Sequence, residues 1–163
     1  MSEPSPLEIL RLLAARRVDF ILVGMAAGVL RGAPTTTLDL DIVHRRSADN
    51  VGRLLGALTM LEAIYRHHPR GLRPSQSPLM GAGHQLLTTK HGDLDCLGAV
   101  GDQQSYEDLL DHAPEVELER GLSVRVIDLP TLIELKEKAG RPKDLAVLPV
   151  LRATLAESLR RKG

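Results

Sequence analysis

Apolar residues repeat with two different periods along this chain, and the alternation between them predicts its elements. Leu7, Leu10, Leu13 and Ala14 share one face over Pro6 to Arg16, the pattern of an amphipathic helix. Phe20-Ile-Leu-Val23 is an unbroken apolar run with β-branched residues, closed by Gly24, and reads as a buried strand. A short helix is expected from Ala26 to Arg31, ended by Gly32-Ala-Pro34. From Leu38 to His44 the period becomes two: Leu38, Leu40 and Ile42 face one way, Asp39 and Asp41 the other. Ser47 is placed to cap a helix running to about Leu61. Further strands are expected at Leu61–Tyr65, Gln85–Thr89, Asp93–Leu97, Val116–Glu119 and Ser123–Ile127, and further helices at Tyr106–Leu110, Thr131–Ala139 and Pro142–Leu159. At 163 residues this α/β alternation fits one domain, 1–163, with the C-terminal helices at about 131–160 as an appendage.

The strand from Leu38 carries the most informative chemistry. Adjacent carboxylates resist joint ionisation unless a cation sits between them. A hard divalent ion that takes oxygen ligands and phosphate suits Asp39 and Asp41. Upstream, a strand runs through Gly24 into a helix start, where free backbone N–H groups favour an anion. A phosphate cradle beside a metal pair is a layout for phosphoryl transfer; the plainer alternative is a strand-turn-helix unit with a solvated acidic edge. A second Asp-x-Asp, Asp93 and Asp95, repeats the shared face, with Cys96 pointing away into the core. The stretch Arg66-His-His-Pro-Arg-Gly-Leu-Arg-Pro-Ser-Gln-Ser-Pro78 reads as a long basic loop, either a guide for an anionic acceptor or a solvated excursion. His67, His68, His84 and His91 have no Cys or acidic partner at a structural-zinc spacing.

Composition narrows the classes. Lys plus Arg and Asp plus Glu both number 21, which argues against indiscriminate polyanion binding. Phe20, Tyr65 and Tyr106 are the only aromatics, so base stacking is not expected to dominate any nucleic-acid contact. The single cysteine excludes an internal disulfide. A polar start and the lack of a long apolar run lead to the expectation of a cytoplasmic protein with no membrane partner.

Val23-Gly24-Met25 followed by Asp39-Leu-Asp41 resembles the signature of the nucleotidyltransferase (polymerase-beta-like) superfamily: a hydrophobic residue, Gly, Gly or Ser, a spacer, then Asp-hydrophobic-Asp. The phrasing Gly32-Ala-Pro-Thr-Thr-Thr-Leu-Asp-Leu-Asp-Ile42 is similar to the small bacterial branch that includes type IV toxin–antitoxin and abortive-infection nucleotidyltransferases. His91-Gly-Asp-Leu-Asp-Cys-Leu97 resembles the strand of the third carboxylate, with Asp95 the best match and Asp93 the alternative. Val126 to Lys136 with Ala139-Gly-Arg-Pro-Lys-Asp144 resembles the C-terminal helix pair, so the likeness spans about residues 18 to 151. Met25 stands where relatives carry Gly or Ser, and Val147 where they often carry a further Asp.

The resemblance implies an α/β (α+β) fold, a mixed β-sheet flanked by helices. It implies Mg2+, with Mn2+ as substitute, held by the catalytic carboxylates Asp39, Asp41 and Asp95. It also implies an NTP bound by Gly24, Met25, Thr37, Lys136, Arg141, Lys143 and Asp144. Asp144 has a second reading, as the partner of Lys136 or Arg141. The leading function is transfer of a nucleoside monophosphate to RNA or protein, as the toxin-like member of a pair with an antitoxin partner protein. A weak or inactive nucleotide- or partner-binding module, favoured by Met25 and Val147, is the alternative. A small-molecule nucleotidyltransferase is the second alternative.

Overall fold

The computed structural model describes residues 3–162. Its elements are α1 (Pro6–Ala15), β1 (Phe20–Val23), α2 (Gly24–Leu30), β2 (Leu40–His44), α3 (Ala48–Met60), β3 (Ile64–Tyr65) and α4 (Gln76–Met80), then β4 (His84–Thr89), β5 (Gly92–Leu97), α5 (Tyr106–Leu109), β6 (Glu115–Glu119), β7 (Leu122–Val126), α6 (Leu129–Ala139) and α7 (Pro142–Lys162). The strands form one seven-stranded mixed sheet in the order β3-β4-β5-β2-β1-β7-β6. Pairs β1–β7 and β2–β5 are parallel, and the other neighbours are antiparallel. An α/β fold with a mixed sheet and flanking helices is therefore what these residues build.

The two central strands explain why the sheet is stable. All four residues of β1 are buried, and four of five in β2, leaving only Asp41 half-buried. Leu22, Ile42 and Cys96 lie side by side on one face, while Ile21 and Val43 lie on the other, so apolar cover is present on both sides. Helix starts follow local chemistry: Ser47 accepts from the backbone of Asn50, and Asp128 from that of Thr131. Gly140, at φ 62°, ends α6 in the left-handed conformation that glycine tolerates best.

Several boundaries differ from the sequence reading; β3, for example, is only Ile64–Tyr65 rather than Leu61–Tyr65. β2 begins at Leu40 rather than Leu38, because Thr37 Oγ1 accepts the Asp39 amide at 3.2 Å and turns the backbone before pairing starts. The expected long loop condenses into α4 at Gln76–Met80, where buried His44 holds the Leu79 carbonyl at 2.8 Å through Nε2. α2 starts two residues early, at Gly24. Helices α6 and α7 pack on the core through Leu132 and Leu151, whose methyls would lie 3.5 and 3.1 Å from a Cβ added at Gly28. The missing side chain lets the helices approach.

Candidate active site

Register puts one row of side chains across the sheet. Asp41 of β2 opposes Val23 of β1 on one side and Asp95 of β5 on the other. Asp95 opposes Leu86 of β4, and the amide of Arg66, just beyond β3, donates to the Leu86 carbonyl at 2.9 Å. Partners directly opposite in a sheet project from the same face. The row therefore reads Val23, Asp41, Asp95, Leu86, Arg66, with two carboxylates at its centre.

Gly24 closes the row at β1. Its φ of 68° is left-handed, and a Cβ there would collide with Asp41 Oδ2. Glycine is required on both counts. No side chain caps α2, so its first N–H groups stay open next to Asp41. Met25 is half-buried against the core, with its terminal methyl 3.5 Å from where a Gly28 Cβ would stand, on the side where Leu132 and Leu151 pack.

The Asp41–Asp95 pair is electrostatically strained. Burial, then the charge and hydrogen bond of Asp95, push the Asp41 carboxyl up to about 6, with Lys136 pulling the other way. Arg66 Nη2 donates to Asp95 Oδ1 at 2.9 Å. Its Nη1 donates to the Leu87 carbonyl at 2.7 Å and lies 3.5 Å from Asp93 Oδ2. The sequence reading set Arg66 at the start of a basic loop, either a guide for an anionic acceptor or a solvated excursion, and did not join it to these carboxylates.

Across from the pair, α6 and α7 supply a second cluster. Asp144 is fully buried, and Lys136 Nζ donates to its Oδ1 at 3.3 Å. Arg141 donates to the same carboxylate through Nε at 2.6 Å, Nη2 at 3.2 Å and its backbone N–H at 3.2 Å. Burial opposes ionisation of Asp144, but the hydrogen bonds from Arg141 and Lys136 prevail and hold it below the usual carboxylate range. Lys136 and Arg141 both lie within electrostatic reach of Asp41.

Of the residues named from sequence, the structure gathers Gly24, Asp41, Asp95, Lys136, Arg141 and Asp144. Asp39 lies outside the strand, exposed, with only a weak electrostatic effect on Asp41. Thr37 is half-buried and turned toward the Asp39 amide, and Lys143 is exposed on the first turn of α7. Among the described residues no group of three or more His, Cys, Asp or Glu side chains is close enough to hold a metal ion. The central pair itself fits a hard dication: two carboxylates held side by side offer it oxygen donors, and the ion would relieve their mutual repulsion. Cys96 is buried beside them, its thiol pushed up by burial. Among the described residues no helix is long and apolar enough to cross a membrane.

Solved structures with the same architecture are nucleotidyltransferases. The lincosamide antibiotic adenylyltransferase LnuA, solved with lincomycin bound, superposes at TM-score 0.61 with 17% identity, over 90% of this chain and 94% of that one. The antibiotic-resistance factor ANT(2'')-Ia, in complex with adenylyl-2''-tobramycin, superposes at TM-score 0.58 with 18% identity, over 93% and 88%. A Thermotoga maritima protein classed with the nucleotidyltransferases gives TM-score 0.52 and 17% identity, over 94% and 87%. No protein-family model and no curated protein matches the sequence.

Proposed function

This chain has the nucleotidyltransferase fold, and on that premise we propose that it transfers a nucleoside monophosphate from an NTP to an acceptor hydroxyl. One observation carries the reading: Asp41 and Asp95 stand side by side, against a glycine turn and opposite two cations, Lys136 of α6 and Arg141 of the α6–α7 connection.

Asp41 and Asp95 would hold Mg2+, or Mn2+ in its place, with exposed Asp39 completing the carboxylate set. When bound, such an ion supplies charge neutralisation at the reacting phosphate. The remaining work falls to the chain. Lys136 and Arg141, with Lys143 at the rim, receive the triphosphate as cations on the face of Asp41. Open N–H groups at Gly24 and Met25 and the Thr37 hydroxyl offer donors to the same anion. Asp95 takes the proton of the acceptor hydroxyl. The acceptor oxygen then bonds the α-phosphorus, and the bond to the pyrophosphate oxygen breaks, in-line attack being the economical geometry.

The acceptor we favour is RNA or protein, in a toxin-like role restrained by an antitoxin partner, resting on the phrasing of Gly32 to Ile42. A second reading, transfer to a small-molecule hydroxyl, is favoured by the antibiotics named with LnuA and ANT(2'')-Ia. Each α-labelled NTP, incubated with Mg2+ and RNA, protein extract or an aminoglycoside and lincosamide panel, separates these. Label in one acceptor class, lost in Asp41→Asn, establishes transfer and names the class. Folded protein that labels nothing sinks the reading in favour of a binding module.

A further inference from the structure

Arg66 reaches the reacting carboxylates by a path no local pattern predicts. It leaves the sheet directly after β3, two strands away from β5, and its main chain continues the β3–β4 register through Leu86. Its side chain then returns over β4. The side chain is partly buried, at 23% exposure, with the guanidinium donors divided among the Leu87 carbonyl, Asp95 Oδ1 at 2.9 Å and Asp93 Oδ2 at 3.5 Å. A guanidinium clamped at one end by a backbone carbonyl offers its other donors in a fixed fork.

Asp95 consequently sits between unlike neighbours, the Asp41 carboxylate on one side and a cation on the other. Without the cation, repulsion from Asp41 and Asp93 would turn the Asp95 side chain out toward water. We propose that Arg66 is the positioning residue of the acceptor side: it fixes the rotamer of Asp95, so that this carboxylate is already aimed when the acceptor hydroxyl arrives. Asp93, the other candidate for the third carboxylate, is thereby a second anchor for Arg66. The inference rests on the transferase reading, and it assigns Arg66 no contact with the nucleotide.

Misplacing a reacting group by about 1 Å costs on the order of 100-fold in rate. Four proteins are compared: wild type, Arg66→Gln, Arg66→Lys and, as a surface control, Arg120→Gln in the distant β6–β7 turn. Transfer kcat, NTP KM, direct NTP binding in Mg2+ and the thermal midpoint are read for each. The expected result is a kcat lower by roughly 30- to 100-fold in Arg66→Gln, with NTP binding and midpoint near wild type. Arg66→Lys, which keeps the charge but not the fork, recovers part of the rate. Unchanged or faster transfer in Arg66→Gln overturns the proposal, the faster case marking Arg66 as a lock on Asp95. Parallel loss of kcat, NTP binding and midpoint overturns it too, as a purely structural role. If Arg66→Gln fails to fold, Arg66→Lys decides: full wild-type kcat there rejects the need for the fork. A wild type that transfers nothing sinks the transferase reading itself, and the inference with it.

Discussion

The two halves of the candidate site solve opposite electrostatic problems. In the sheet, Asp41 and Asp95 are pressed together with too little positive charge, and the Asp41 carboxyl answers by holding its proton up to about 6. In the helices, Asp144 is wholly covered from solvent yet stays ionised, because Lys136 and Arg141 close around it. Burial disfavours a charge in both places; the supply of partners decides the outcome. The helical half is complete as it stands. The sheet half is built with a deficit, and such a deficit marks a place where a ligand belongs.

The contrast breaks first in activity. Asp41→Asn or Asp95→Asn should reduce labelled transfer by about 1000-fold or more, while far-ultraviolet circular dichroism stays unchanged. In the helical half the larger effect is on stability. Asp144→Asn strands Lys136 beside Arg141 and should cost about 2–3 kcal/mol in urea denaturation, the low end because Arg141 is over half exposed.

The sheet half should respond with the opposite sign. Because the folded-state Asp41 carboxyl titrates at about 6, against roughly 4 when unfolded, the folded protein binds more protons between those values. Stability of the metal-free protein therefore falls as pH rises through that window, and the loss is complete above it. An asparagine cannot ionise, so Asp41→Asn should be the more stable protein at pH 8 by about 2 kcal/mol, a margin that vanishes near pH 4. Smallest of all, millimolar Mg2+ should raise the wild-type thermal midpoint at pH 8 by a few degrees and leave Asp41→Asn unmoved. A midpoint that rises equally in both would place the ion elsewhere.

How much of this could be read from the chain follows from the range of each interaction. Ser47 and the β1 run declare themselves within a few residues, and the structure places both where the pattern does. Asp95 was found by motif, but its position beside Asp41 comes from the parallel β2–β5 register, which period-two alternation does not specify. Arg66 was missed because its bond to Asp95 spans 29 residues and two strand pairings. The late start of the strand at Leu40 was missed for a smaller reason: the Thr37 hydroxyl competes for the Asp39 amide, while Leu38 keeps the apolar alternation that suggests pairing. Local patterns see helices, caps and apolar strands; charge balance at the site is a property of the assembled sheet.

Cys96 offers a practical handle. It is the chain's one cysteine, and it lies fully buried in β5 with its thiol disfavoured as thiolate. A maleimide dye added to the native protein should find nothing to react with, so the natural sequence is already a silent background for labelling. A cysteine introduced at exposed Arg70 would then carry the only reporter, and its fluorescence could follow the loop beyond Arg66 as nucleotide and acceptor arrive.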